Sequence, residues 1–143
     1  MVGITKEMVG MRKLTLILTT LIFSLMFSST SFAEWKEVTE NVNGRIFYVD
    51  FERIRKHGGY VYWWELNDYL KQTDGAWSVK IYKQADCKMF RYKDLSGSFH
   101  KEPMGGGDGK VSEPPEHLKG WIYPPPDTVA EFILKAVCQH AGM

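Results

Sequence analysis

Two periodicities divide the chain. Apolar and polar residues alternate with period two through residues 35–95, and they recur with helical period through residues 127–142. Residues 35–40 alternate modestly and predict an edge strand. The turn Asn41-Val42-Asn43-Gly44 leads into residues 45–51, where Phe47, Val49 and Phe51 share one face. Residues 52–57 suggest one helical turn closed by Gly58-Gly59. The strongest strand signal is residues 60–70. Its even positions Tyr60, Tyr62, Trp64, Leu66 and Leu70 read as the core face, with Asp68 the exception near the end. The odd face still carries Val61, Trp63 and Tyr69, an unusual apolar load for a solvent side. Thr73-Asp74-Gly75 fits a hairpin loop. Residues 77–87 follow, with Trp77, Val79, Ile81 and Ala85 on one face and Ser78, Lys80, Gln84 and Asp86 on the other. Tyr82 and Lys83 break that pattern.

After Leu95, turn residues dominate: Ser96-Gly97-Ser98, then Met104-Gly105-Gly106-Gly107-Asp108-Gly109-Lys110, then Pro114-Pro115. A connection this long predicts either mobility or function. Pro124-Pro125-Pro126 closes it, and Asp127 reads as the N-cap of a helix running to Gly142. Ala130, Ile133, Leu134, Val137, Cys138 and Ala141 form one apolar side of that helix.

Cys87 has the parity of Val79, Ile81 and Ala85, so alternation points its sulfur toward the core. Cys138 lies on the helix side that must cover the sheet. A helix laid across the sheet therefore brings Cys87 and Cys138 together. A disulfide is the favoured reading for two cysteines in an exported domain, with free buried thiols and a metal site as the alternatives. A zinc site needs about four ligands, and His57, His100, His117 and His140 stand at no ligand spacing. A bridge across that interval contributes about 4 kcal/mol on the chain-entropy model. The expected fold is α+β: an antiparallel sheet of about five to six strands with a C-terminal helix packed on one face and disulfide-linked to it.

Residues 1–33 change the setting of this domain. Lys6, Arg12 and Lys13 precede an uncharged apolar run over 14–27. Ser28-Ser29-Thr30-Ser31-Phe32-Ala33 then places small residues at −3 and −1 of a cut between Ala33 and Glu34. Charge, hydrophobic run and small-residue exit are the order read by signal peptidase. A membrane anchor is the competing reading, but the run is shorter than the ~20 residues a spanning helix needs. The chain thus divides into a signal peptide, 1–33, and one domain, 34–143, expected to be periplasmic or secreted. With no cysteine directly after the apolar run to take a lipid, no stable membrane anchor is expected. The formal net charge of +1 gives no reason to expect nucleic acid as a partner.

Catalytic motifs are weak. The glycine-rich segment 105–110 lacks the G-x-x-x-x-G-K-[ST] spacing of a phosphate loop: Met104 stands five before Gly109, and Val111 follows Lys110. His100 or His117 could meet Ser78 or Ser98, but no G-x-S-x-G elbow exists. Glu65 and Asp68, three apart on a strand, point to opposite faces. No enzyme activity, metal or cofactor is inferred. The aromatic content says more. Trp35, Trp63, Trp64, Trp77 and Trp121 with seven tyrosines exceed what one small core comfortably holds. They suit a binding or self-association surface, where Tyr and Trp are enriched; a second sheet face covered by loops is the bland reading. With one helix to cover a sheet, the face opposite it is the expected partner surface. On the parity above, that surface holds Val61, Trp63, Tyr82, Phe90 and Tyr92.

Several segments taken in order carry a resemblance. These are a Trp near residue 35, Tyr48-Val49-Asp50 before a short turn, Trp64-Glu65-Leu66-Asn67-Asp68-Tyr69, Ser78-Val79-Lys80, Asp86-Cys87 followed by Arg91, and a terminal helix bearing Cys138. Together they resemble the surface-adhesin protein E-like family of bacterial envelope proteins. The resemblance covers nearly all of residues 34–143. It implies a sheet with a disulfide-tied C-terminal helix and a non-enzymatic protein that binds other proteins. The name-giving adhesins engage host matrix and serum proteins. The chain departs from the lipid-anchored adhesin pattern in lacking the lipid-attachment cysteine. The leading expectation is therefore an exported interaction module with a protein partner or a second copy of itself. A periplasmic small-ligand binder is the alternative, and a small exported hydrolase ranks below both.

Overall fold

The computed structural model describes Gly10, residues 12–15 and residues 32–143. Most of the expected signal peptide, and its apolar run after Thr15, lies outside the described residues. Residues 33–143 form one compact unit.

Seven antiparallel strands make one sheet: β1 Trp35–Glu40, β2 Ile46–Asp50, β3 Arg55–His57, β4 Tyr60–Thr73, β5 Ala76–Asp86, β6 Arg91–His100 and β7 Lys110–Ser112. Their order is β1-β2-β4-β5-β6-β7, and β3 pairs with β4 beyond the end of β2. The chain ends in helix α1, Val129–His140. The α+β arrangement is the expected one. The sheet is wider than expected because β3 replaces the second half of the helical turn, leaving only a 3-10 turn at Phe51–Arg53. In addition, β6 runs straight through Ser96-Gly97-Ser98 to His100, and Lys110–Ser112 pairs on its outer side. A backbone with small polar side chains can continue a ladder once a partner strand supplies the hydrogen bonds, whatever its turn propensity.

Helix α1 starts one residue later than expected. Asp127 takes φ +63, and Thr128 is the N-cap, its Oγ1 accepting the Glu131 N–H at 3.2 Å. Glu131 accepts the N–H of Asp127, the residue before the cap, at 3.0 Å, a bond displaced by one residue from the return bond of a capping box. From there the apolar side falls as the period requires. Ile133, Leu134, Val137, Cys138 and Ala141 are buried against Phe47 and Val49 of β2, Val61 and Trp63 of β4 and Ala85 of β5. Cys87 and Cys138 are joined in a disulfide, tying the end of β5 to the last turn of the helix.

One parity expectation fails in β4. Val61 and Trp63, expected on the face away from the helix, are 0 % and 1 % exposed and lie beneath it. Tyr62 and Trp64 take the other face. The cause is the register of the β4–β5 hairpin. The turn pairs Thr73 with Ala76, and that register carried straight back would set Trp64 opposite Ala85. Pairing is instead interrupted between Asp68 and Thr73 and resumes with Asp68 opposite Ser78, so that Val61 faces Ala85 and Trp63 faces Lys83. The displacement is an odd number of residues, and with side chains alternating at period two an odd displacement exchanges the faces.

Candidate functional site

The face opposite α1 carries an aromatic row. In the register just described, Trp64 faces Tyr82 and Tyr62 faces Gln84. The Trp64 and Tyr82 rings lie 4.9 Å apart, and those of Tyr62 and Tyr82 stack at 6.0 Å. Gln84 Nε2 donates to the Tyr62 hydroxyl at 2.9 Å, fixing the ring edge. Tyr60 continues the row to Trp121 at 5.5 Å. Trp121 reaches this face because Ile122 bridges to Tyr92 at the edge of β6, which turns its two neighbours the opposite way. The guanidinium of Arg91 and the ammonium of Lys93 each lie 4.5 Å from the Trp121 ring centre. Tyr60, Tyr62, Trp64, Tyr82 and Trp121 are all half-buried: ordered by their neighbours, yet open to a partner.

Arg91 is also held by Asp86, Nε to Oδ2 at 3.0 Å. Burial pushes the Asp86 carboxyl upward, but the Met89 N–H and the Arg91 guanidinium outweigh it and hold the group below the usual carboxylate range. The Asp86-Cys87 pair therefore has two structural duties. Asp86 orients the cation beside Trp121, and Cys87 anchors the helix on the reverse side.

Of the five residues expected at the partner surface, only Tyr82 stands on this face. Val61 and Trp63 belong to the core, as corrected above. Phe90 and Tyr92 pack against that same core. Tyr92 sits opposite Ala85, and Phe90 is turned inward at φ +50 within the β5–β6 connection. Both fall under the helix side because the connection after Cys87 is a turn rather than continued strand. Tyr62 and Trp64 were assigned to the core through the same register error. The signal that locates them is the side chain opposite each one, which single-strand alternation does not supply.

The glycine-rich connection is fastened to the far end of the aromatic face. Ser78 Oγ donates to the Glu102 carbonyl at 2.7 Å and accepts the Gly105 N–H at 2.8 Å. The Met104 N–H meets Asp68 at 2.8 Å. Ser98 Oγ lies 2.8 Å from His100 Nε2, and His100 Nδ1 lies 3.1 Å from the Gly106 carbonyl. With the proton on Nδ1, the ring donates to Gly106 and accepts from Ser98. This is the one serine–histidine contact of those considered from sequence that forms. Both ring nitrogens are taken, by Ser98 and the Gly106 carbonyl, and His100 is 5 % exposed, so the arrangement pins a loop.

On the helix side of the sheet, beyond the part α1 covers, lies a groove of about 340 Å³. Its floor includes Asn67, Val79, Ile81 and Phe99, and Pro114, Pro115 and Leu118 wall one side. At its boundary with the helix-covered core, Lys83 Nζ stands 3.2 Å from Glu65 and 3.5 Å from Asp94. Burial acts to lower the pKa of this ammonium, but the two carboxylates outweigh it and hold it above the ordinary lysine value.

The chain is thus a disulfide-tied sheet-and-helix domain presenting a fixed aromatic surface. A family model described as Surface-adhesin protein E matches residues 35–139. The chain belongs to that family. Among solved structures it is similar to Haemophilus influenzae protein E. Crystal form II gives a TM-score of 0.61 at 21 % identity, covering 80 % of this chain and 94 % of that one. A second structure of the same protein gives 0.57, 21 %, 80 % and 90 % respectively. Protein E from a non-typeable strain gives 0.54, 21 %, 80 % and 81 %. At this identity the likeness establishes the fold. A comparison with curated proteins returns no match. Among the described residues, no helix is long and apolar enough to cross a membrane.

Proposed function

We propose that this protein is an exported, non-enzymatic interaction module of the bacterial envelope that binds a protein partner through the aromatic face opposite α1. The observation that carries the reading is the row Tyr62–Tyr82–Trp64, half-buried on the sheet face opposite α1. Tyrosine and tryptophan held in place by neighbours lose little conformational freedom on binding and supply large contact area, which is why they dominate interface hot spots. Membership of a surface-adhesin family supports a protein as the partner. The N-terminal pattern supports export, with cleavage after Ala33 and release of residues 34–143 to the periplasm or medium.

Two measurements test this reading. Cell fractionation with intact-mass analysis should find a species beginning at Glu34 outside the cytoplasm; retention of residues 14–27 in the mature protein would contradict it. Immobilised exported protein should then bind at least one member of a panel of extracellular-matrix and serum proteins, or associate with itself in sedimentation. Failure of both would remove the proposed role.

A further inference from the structure

Charge is distributed unevenly over the aromatic face. Two rows of the sheet cross it where β3 pairs with β4. In the first, Arg55 stands opposite Tyr62, Tyr62 opposite Gln84 and Gln84 opposite Lys93. Residues directly opposite one another share a face, so this row has a cation at each end and a tyrosine between. In the second, His57 stands opposite Tyr60 and Arg91 opposite Asp86. Neighbouring strands lie about 4.8 Å apart, which sets the backbones of Arg55 and Lys93 about 14 Å apart across the face. The Trp121 ring reaches both sides of that span. It lies 5.5 Å from the Tyr60 ring and 4.5 Å from each of the Arg91 guanidinium and the Lys93 ammonium.

The only carboxylate in these rows is Asp86, and Arg91 already holds it. Among the described residues, Arg55 and Lys93 have no ion-pair partner. Arg55 is fixed in place by backbone alone, Nη1 donating to the Glu52 and Ile54 carbonyls at 3.1 and 3.0 Å. Asp86 takes only the Nε of Arg91, and the rest of that guanidinium makes one long hydrogen bond, Nη1 to the Tyr123 hydroxyl at 3.5 Å. The far end of the face has the opposite sign. Glu37 stands opposite Tyr48, and Asp68 opposite Ile46, against Lys80. The Tyr48 phenol is raised by burial and then by Glu37, Asp68 and Glu40. A partner with surplus negative charge is therefore drawn to the Trp121 end and repelled from the Tyr48 end.

Spacing says what form that charge takes. Arg91 and Lys93 are two residues apart on one strand, about 6.8 Å, which is also the distance between alternate side chains of an extended peptide. A polyanion such as a nucleic-acid duplex carries a charge every ~1.7 Å and calls for a longer run of cations than these rows offer. Half-buried rings among the cations suit a polypeptide, whose apolar side chains fill the space between its carboxylates.

We infer that the Trp121 end of the aromatic face binds an extended acidic segment of the partner protein, with carboxylates two residues apart on Arg91 and Lys93 and an apolar or aromatic side chain against Tyr62 and Trp121. This rests on the reading of the face as a protein-binding surface and names the chemistry recognised there.

Three labelled short peptides, with glutamate, glutamine or lysine at alternate positions and tyrosine or leucine between, are titrated against the full exported protein by fluorescence anisotropy, beside labelled heparin. The glutamate peptide should bind about ten-fold or more tightly than the glutamine peptide, since hydrogen bonds to charged groups are the stronger ones, and the lysine peptide should bind most weakly. Raising the salt from about 50 to about 300 mM should remove most of that preference by screening. Lys93→Glu should abolish the preference and Lys93→Gln should reduce it, whereas Glu37→Gln at the other end of the face should leave it in place. The Trp121 indole N–H resonance, assigned with Trp121→Phe, should shift on adding the glutamate peptide. Equal binding of the glutamate and glutamine peptides would overturn the inference and leave the face a protein-binding surface. Tightest binding of the lysine peptide, or binding of heparin alone, would also overturn it. Binding of no probe, together with failure on the matrix and serum panel and in sedimentation, would remove both readings.

Discussion

Adjacent tryptophans on β4 offer a sharp comparison, because Trp63 and Trp64 differ only in the face they occupy. Replacing Trp63 by Ala removes a side chain that is 1 % exposed and wedged between β2, β5 and the helix. Its indole N–H has no hydrogen-bond partner, so the substitution strands no acceptor and the cost is one of packing. Large-to-small core deletions of this kind cost about 3–5 kcal/mol. Replacing Trp64 by Ala removes a half-buried ring whose main contact is Tyr82 at 4.9 Å. An aromatic pair is worth about 0.5–1.5 kcal/mol beyond its area, and with partial loss of burial the total is about 1–2 kcal/mol. Urea unfolding under oxidising conditions separates the two. With a slope of about 1.5 kcal/mol per molar, the Trp63→Ala midpoint falls by about 2–3 M and that of Trp64→Ala by about 1 M. Equal midpoints, or a larger loss at Trp64, would mean the β4 register is wrong and the partner surface lies elsewhere.

Three further outcomes follow from the same geometry. A double Cys87→Ala, Cys138→Ala variant should lose about 4 kcal/mol, because the bridge closes an interval of 51 positions in the unfolded chain; an unchanged melting temperature would show that it contributes nothing. Lys83 and Tyr92 both have raised folded-state pKa values. For each, the unfolded state releases its proton first, so stability is full below about pH 10 and falls as pH rises through the folded values. Urea midpoints taken between pH 8 and pH 11 should show that decline, reduced in Lys83→Met, and a rising midpoint would refute it. Gly105→Ala should destabilise by about 1–2 kcal/mol, because the residue sits at φ +68 and its added methyl would meet the Lys80 side chain; thermal melts read this directly.

The legible parts of the structure are those where one local pattern admits one answer. Cys87 and Cys138 met as expected because the parity of Val79, Ile81 and Ala85 carries through to Cys87 despite the breaks at Tyr82 and Lys83, and α1 has a single apolar side. The β4 faces were not legible for the opposite reason. Tyr62 and Trp64 are as apolar as Val61 and Trp63, so alternation within the strand has no preference. The preference comes from across the sheet, where Phe47 and Val49 must pair with Asn67 and Glu65 under the helix. The hairpin irregularity after Asp68 is equally silent in sequence, since Tyr69, Leu70, Lys71 and Gln72 all suit a regular strand. Lys83 read as a break in the apolar pattern of its strand. It is buried diagonally across from Glu65, which is how a small core holds charge without isolating it.

The aromatic face is tested most directly by the affinity of a Trp64→Ser, Tyr82→Ser double variant for whichever matrix or serum protein, or second copy, the exported protein binds. The measurement is made beside Leu118→Lys as a control on the other side of the sheet. The account predicts a loss of about thirty-fold or more, the signature of hot-spot side chains, with the Leu118→Lys control binding as the unaltered protein does. Unchanged binding by a folded double variant would contradict it.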